Sequence, residues 1–137
     1  MTHAANILKW IKTVDLEDRS KLRELAAALE QWLDTYVPDW RGRIPEHCYK
    51  PQPAGYPLAY IFFSRDALKA MRPKGWRFDI YNSFDEERRH AFSYCIAETL
   101  YKEHNHSSGS LAKEEPAELC AILEAIVYDQ AQQQAAP

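Results

Sequence analysis

The chain has 137 residues, of which 46% are hydrophobic and 27% charged, and its formal net charge is −3. That length suits one domain, the composition excludes wholesale disorder, and no apolar run approaches the ~20 residues of a membrane-spanning helix. Three cysteines (Cys48, Cys95 and Cys120) with no C-x-x-C pair exclude a disulfide framework and suit a reducing cytoplasm; Met1–Asn6 lacks the charged and apolar regions of a secretory signal.

In chain order, Thr2 is placed to cap a short helix with Ile7, Leu8 and Ile11 on one side. A longer helix is expected from about Leu16 to Val37. Its stripe is Leu22, Leu25, Leu29, Trp32 and Tyr36, at the spacing of one helical face, and Ala26, Leu33 and Val37 widen it. Pro38 ends it, because its ring removes a donor and disfavours helix in the residue before it. Residues 38–57 hold five prolines (Pro38, Pro45, Pro51, Pro53 and Pro57) and read as an extended arm, with Glu46–Tyr49 adding a short edge strand.

The stretch Tyr56–Phe84 holds eight of the seventeen aromatic residues. Leu58–Phe63 is apolar on both sides, as in a covered strand, while in Trp76–Tyr81 apolar and polar residues alternate as in a strand with one buried face. Between them, Ser64 caps a helix of one to two turns that stops at Pro73, and Gly75 turns the chain into the second strand.

Ser83 and Glu86 have capping-box spacing, with Asp85, Glu86 and Glu87 suited to the positive end of a helix dipole. A helix is therefore expected from Ser83 to about His104, burying Phe92, Cys95, Ile96, Thr99 and Leu100. A last helix begins near Pro116 and buries Leu119, Cys120, Leu123, Ile126 and Val127, and residues 131–137 fray. The fold expected is α+β, with four to five helices packed around a small two- to three-stranded sheet. One domain over 1–130 is expected: helical 1–37, arm 38–57, strand–helix–strand 58–81 and helical 83–130.

The charge is uneven. Residues 41–89 carry ten Lys/Arg against six Asp/Glu, and residues 90–137 carry two against seven. The candidate binding surface is Trp40, Arg41, Arg43, Arg65, Lys69, Arg72, Lys74 and Arg77, meeting an acidic protein. Trp40, just past a helix end, is expected to be exposed, and Lys69 and Arg72 to share a helix face with Arg65 nearby. The plainer reading of these cations is a solvated face. The acidic side (Glu98, Glu103, Glu114, Glu115, Glu118 and Glu124) is the alternative surface, for a basic partner. Nucleic acid is the runner-up partner, since cations beside aromatics suit phosphates and bases, but the low pI of about 5.9 weighs against it.

Chemistry has little to stand on. Glu87–His90 and Glu103–His106 have di-iron ligand spacing, yet on one helix they lie about 24 Å apart. His104 and His106 alone are two ligands where three or four are needed. His47 and Cys48 point to opposite sides of an extended chain, and Glu86 with His90 would form an acid/base pair, at a spacing common on solvated helices. Neither a metal nor a cofactor is expected, and an enzyme is the third reading. The expectation is a non-enzymatic cytoplasmic protein-binding protein: a small regulator, inhibitor, immunity protein or adaptor of prokaryotic or phage type.

Overall fold

The computed structural model describes residues 4–13, 18–45, 64–87, 89–99, 105–107 and 114–135. Five helices and a small antiparallel sheet among them make the protein α+β, in the order α1 (Ala4–Thr13), α2 (Arg19–Tyr36), α3 (Trp40–Arg43), α4 (Arg65–Met71), β1 (Trp76–Asp85), β2 (His90–Thr99), β3 (Asn105–Ser107) and α5 (Glu114–Ala135). The chain divides into two compact units, Met1–Met71 and Arg72–Pro137. Thr2, Glu46–Tyr49 and the expected strand Leu58–Phe63 lie outside the described residues.

In the first unit α1 packs on α2. Ile7 and Ile11, four residues apart on α1, are buried, and so are Leu22, Leu25, Ala26, Leu29, Trp32 and Leu33 on α2. The predicted stripe forms that face except at its last member: Tyr36 is exposed, its ring 5.1 Å from Trp32. The helix begins later than expected. Asp18 caps it, accepting a hydrogen bond from the Lys21 N–H at 3.2 Å, and Val37 ends it just before Pro38. The arm then holds one helical turn, α3, whose Trp40 and following Ile44 are buried. The predicted connector helix is α4, with Ala67, Leu68 and Met71 buried.

The second unit departs most from expectation. Residues 83–99, expected as helix, form a β-hairpin: β1 and β2 pair antiparallel from Trp76↔Thr99 to Asp85↔His90. Short β3 adds beside β2, with Ala97 opposite His106. The physical reason is visible in β2, where large and small residues alternate: His90, Phe92, Tyr94 and Ile96 against Ala91, Ser93, Cys95 and Ala97. That period of two suits a pleated strand, and the small residues make one of its sides flat. Against it lie Ala117, Ala121 and Ala125 of α5, one turn apart, forming a shared core with Trp76, Cys95 and Ala97. Phe78, Ile80 and Tyr128 pack around that core.

Helix α5 starts slightly before Pro116, with Glu114 and Glu115 in its first turn where the helix dipole favours acids. It runs to Ala135, so the part of the tail expected to fray is helical through that residue. Leu119, Cys120, Leu123 and Ile126 are buried as expected, whereas Val127 is exposed. Alanines, leucines and isoleucines together leave this helix apolar on most sides, and most of its residues from 116 to 126 are buried.

Candidate functional site

The predicted cations sort first by unit. Trp40, Arg41, Arg43, Arg65 and Lys69 belong to the first, and Arg72, Lys74 and Arg77 to the second. Trp40 is the clearest correction, since it is 1% exposed and not an open anchor. The short α3 turns its indole inward, and its Nε1–H donates to Asp34 Oδ1 at 2.7 Å. Arg41 lies with its guanidinium 4.4 Å from the Trp40 ring centre, and it pairs with Asp34 at 3.3 Å and Glu30 at 3.7 Å. Arg43 pairs with Asp39 at 2.9 Å. These groups therefore hold the α2–α3 corner together.

That corner sets two carboxylates apart. The hydrogen bonds from Trp40 and Arg41 hold the Asp34 carboxyl below its ordinary range, while burial pushes Glu30 above its own despite Arg41. Glu30 Oε1 is buried without a hydrogen bond, which is the physical counterpart of that rise.

Arg65 and Lys69 are exposed and four residues apart, so they share one side of α4. Arg72 lies outside α4, which ends at Met71, so it is not on the helix face expected for it. Its guanidinium instead grips Glu118, with Nε donating to Oε1 at 2.8 Å and Nη2 2.6 Å from the same oxygen, and lies 5.2 Å from the Phe78 ring centre. Glu118 is 1% exposed. A carboxylate so buried is tolerable only when paired, so this contact is structural and Glu118 is not part of an open acidic surface. Lys74 is exposed in the turn before β1, and Arg77 pairs with Asp79 at 3.0 Å.

The groups considered for chemistry do not converge. Glu86 lies exposed in the hairpin turn and His90 opens β2, so the two are not a turn apart on a helix. His106 is in β3, while Glu103, His104, His47 and Cys48 lie outside the described residues. Among the described residues no group of three His, Cys, Asp or Glu side chains is placed to hold a metal ion. Cys95 and Cys120 are buried thiols, and burial, helped by Glu118, pushes Cys95 up to about 12. A thiol held protonated at neutral pH is a poor nucleophile.

What the structure does gather is aromatic side chains at the far end of the hairpin. Trp76 Nε1–H donates to both Asp129 oxygens (3.0 and 2.9 Å), and Asn82 Nδ2–H donates to Glu114 Oε1 at 2.8 Å. Helix α5 therefore lies antiparallel along β1, with its first residue level with Asn82. Residues 83–85 run past the start of the helix. Phe84 has the parity of the helix-covered side and is 57% exposed. The opposite side carries Tyr81 stacked on Tyr94 at 5.1 Å, and Phe92 on Tyr94 at 5.9 Å, with Tyr81 43% exposed.

None of these four residues was singled out from the sequence as a binding residue. The large–small alternation of β2 was the signal that could have found them, since it places Phe92 and Tyr94 on one side and, through the pairing, Tyr81 with them. No protein-family model matches the chain, and no curated protein or solved structure is similar to it.

Proposed function

We propose that the protein acts by binding another protein, and that the end of the β1–β2 hairpin is the surface it uses. The single observation that carries this reading is the group of aromatic side chains at the hairpin end, with Tyr81 and Phe84 exposed on opposite sides and half-buried Phe92 and Tyr94 stacked beside Tyr81. Exposed rings leave apolar area in water that burial in a partner would remove, and tyrosines on a rigid strand lose little side-chain freedom on binding. Arg41, Arg43 and Arg72 are engaged within the chain, which moves the weight of the reading from the basic surface to the aromatic one.

A non-enzymatic role suits this arrangement: a small cytoplasmic regulator, inhibitor, immunity protein or adaptor needs a surface rather than a cavity with convergent acids and bases. Among the described residues no helix is long and apolar enough to cross a membrane, which is compatible with that setting. The test is capture of a stoichiometric protein from the source cell after nuclease treatment, with the wild-type chain and with Tyr81→Ser/Phe84→Ser. Capture by the wild type and its loss in the variant support the reading. A partner retained equally by both chains, or one released by nuclease, refutes it.

A further inference from the structure

Strand β1 is an outer strand of its sheet, since the order is β1–β2–β3. Among the described residues no strand lies on its other side. It is ten residues long, contains neither proline nor lysine, and pairs with β2 residue for residue from Trp76 to Asp85 without a bulge. Exposed edges are ordinarily interrupted by such devices, and a long uninterrupted one is a template for another strand. Tyr81, Asn82, Ser83 and Phe84 are four exposed residues in succession, which leaves this stretch open to solvent. Helix α5 packs more on β2 than on β1, away from that edge.

The strand is also matched to itself. Two copies meeting edge to edge run antiparallel about a twofold axis perpendicular to the sheet, and each side of the sheet stays on its own side. Even-numbered residues then face even-numbered ones, and odd face odd. Within Trp76–Asp85 two such registers pair nine residues, and every other register pairs fewer. The first centres on Ile80 and sets Asp79 opposite Tyr81 and Phe78 opposite Asn82. Its one aromatic pair is Phe84 with Trp76, whose ring is already buried against α5. The second centres on Tyr81. It sets Tyr81 opposite Tyr81 and Phe78 opposite Phe84, so aromatic residues meet on both sides of the sheet, a cross-strand pairing that stabilises sheets. The charges near β1 are not what selects this register. Arg77 pairs with Asp79 at 3.0 Å and lies across from Glu98, and Asp85 accepts from the Glu87 N–H. In the turn, Glu86 and Glu87 are offset in formal charge by Arg88 and Arg89.

We infer that β1 pairs antiparallel with β1 of a second copy of this chain, centred on Tyr81, and joins the two sheets into one. The rings of Phe92, Tyr94 and Tyr81, stacked at 5.9 and 5.1 Å, then continue across the axis into the same rings of the second copy. Edge pairing uses backbone groups and leaves both sides of the sheet uncovered. The aromatic side proposed to meet a partner is therefore doubled, not blocked, and self-association stands or falls independently of that reading. Nine residue pairs along one edge bury less than a stable obligate dimer does, so the association is weak, with a dissociation constant on the order of 10–100 μM.

Sedimentation equilibrium of the full chain from about 1 to about 300 μM should show a reversible monomer–dimer equilibrium. Tyr81 is the position that meets itself, so Tyr81→Lys and Tyr81→Glu should each, alone, raise the dissociation constant about tenfold. Mixed in equal amounts the two variants should return to dimer, because only the mixed dimer sets opposite charges across the axis. In the wild type, hydrogen exchange at the β1 amides should slow as concentration rises, while exchange in α1 should not change. A wild-type chain that stays monomeric over this range overturns the inference. So does a dimer that either variant leaves intact, a mixture that gains nothing over its components, or exchange in β1 that ignores concentration. Far-ultraviolet circular dichroism of each variant should match the wild type, and the wild-type exchange measurement decides the matter where it does not.

Discussion

At the residue scale, the α2–α3 corner shows how burial and hydrogen bonding divide two acids a helical turn apart. Asp34 accepts from Trp40 and Arg41, and its folded value lies below the ordinary 3.8. Its contribution to stability is therefore complete at neutral pH and fades as the pH falls through that lowered value. Glu30 is the reverse case. Its folded value lies above 4.5, so ionisation costs stability at neutral pH, and the cost disappears as the pH falls through the raised value toward 4.5. Thermal unfolding should accordingly show Asp34→Asn less stable than the wild type at neutral pH and Glu30→Gln more stable. Both differences should shrink in acid, that of Glu30→Gln first. A destabilised Glu30→Gln chain at neutral pH would show that its pairing with Arg41 outweighs its burial.

At the scale of elements, the hairpin is fixed to α5 by polar anchors set in an apolar contact. Arg72 and Glu118 are the most buried of these. Replacing Arg72 by leucine should cost about 3 kcal/mol in denaturant unfolding, since it leaves an unpaired buried carboxylate. Arg72→Leu/Glu118→Leu should recover most of that loss, and a double variant as unstable as the single would mean the pair is not what holds the carboxylate. Gly75 is the other constraint on the hairpin's start, because its φ of 86° lies in the left-handed region. A Cβ there would meet no neighbouring atom, so the cost of Gly75→Ala is backbone strain alone, about 1–2 kcal/mol. Equal stability of the two chains in denaturant would contradict it.

The same scale shows what could be read from the sequence and what could not. Helices α1, α2 and α4, strand β1 and the turn at Gly75 were legible because their periodicity, caps and breakers agree. The second strand was not. Its connecting turn, Glu86–Arg89, contains no glycine, asparagine or proline, and Arg89 itself adopts the left-handed φ of 54° that such a residue would signal. Ser83 with Glu86 then imitates a helix start, and Cys95, Ile96 and Thr99 imitate a helical stripe. The site was misread for a related reason. Charge is visible in a sequence, but intramolecular pairing is not, so Arg41, Arg43 and Arg72 looked available until their carboxylates were placed beside them.

For the whole molecule, the paired polar groups and the exposed aromatic surface are different sets of residues. In the first unit Arg41 and Arg43 are engaged at the α2–α3 corner, and in the second Arg72 is engaged with α5. The exposed rings at the hairpin end do no comparable internal work, and removing Phe84 should change stability by no more than about 0.5 kcal/mol. Interface anchors are residues of this kind, cheap to the fold and costly to the complex. The most direct test is therefore the affinity of the captured partner for the wild-type chain, for Tyr81→Ser/Phe84→Ser and for Arg65→Gln/Lys69→Gln, measured by calorimetry at one salt concentration. The account predicts a loss of about thirtyfold or more for the hairpin variant and less than about threefold for the helix variant. The opposite order, with the α4 cations dominating and the aromatic pair silent, would contradict it.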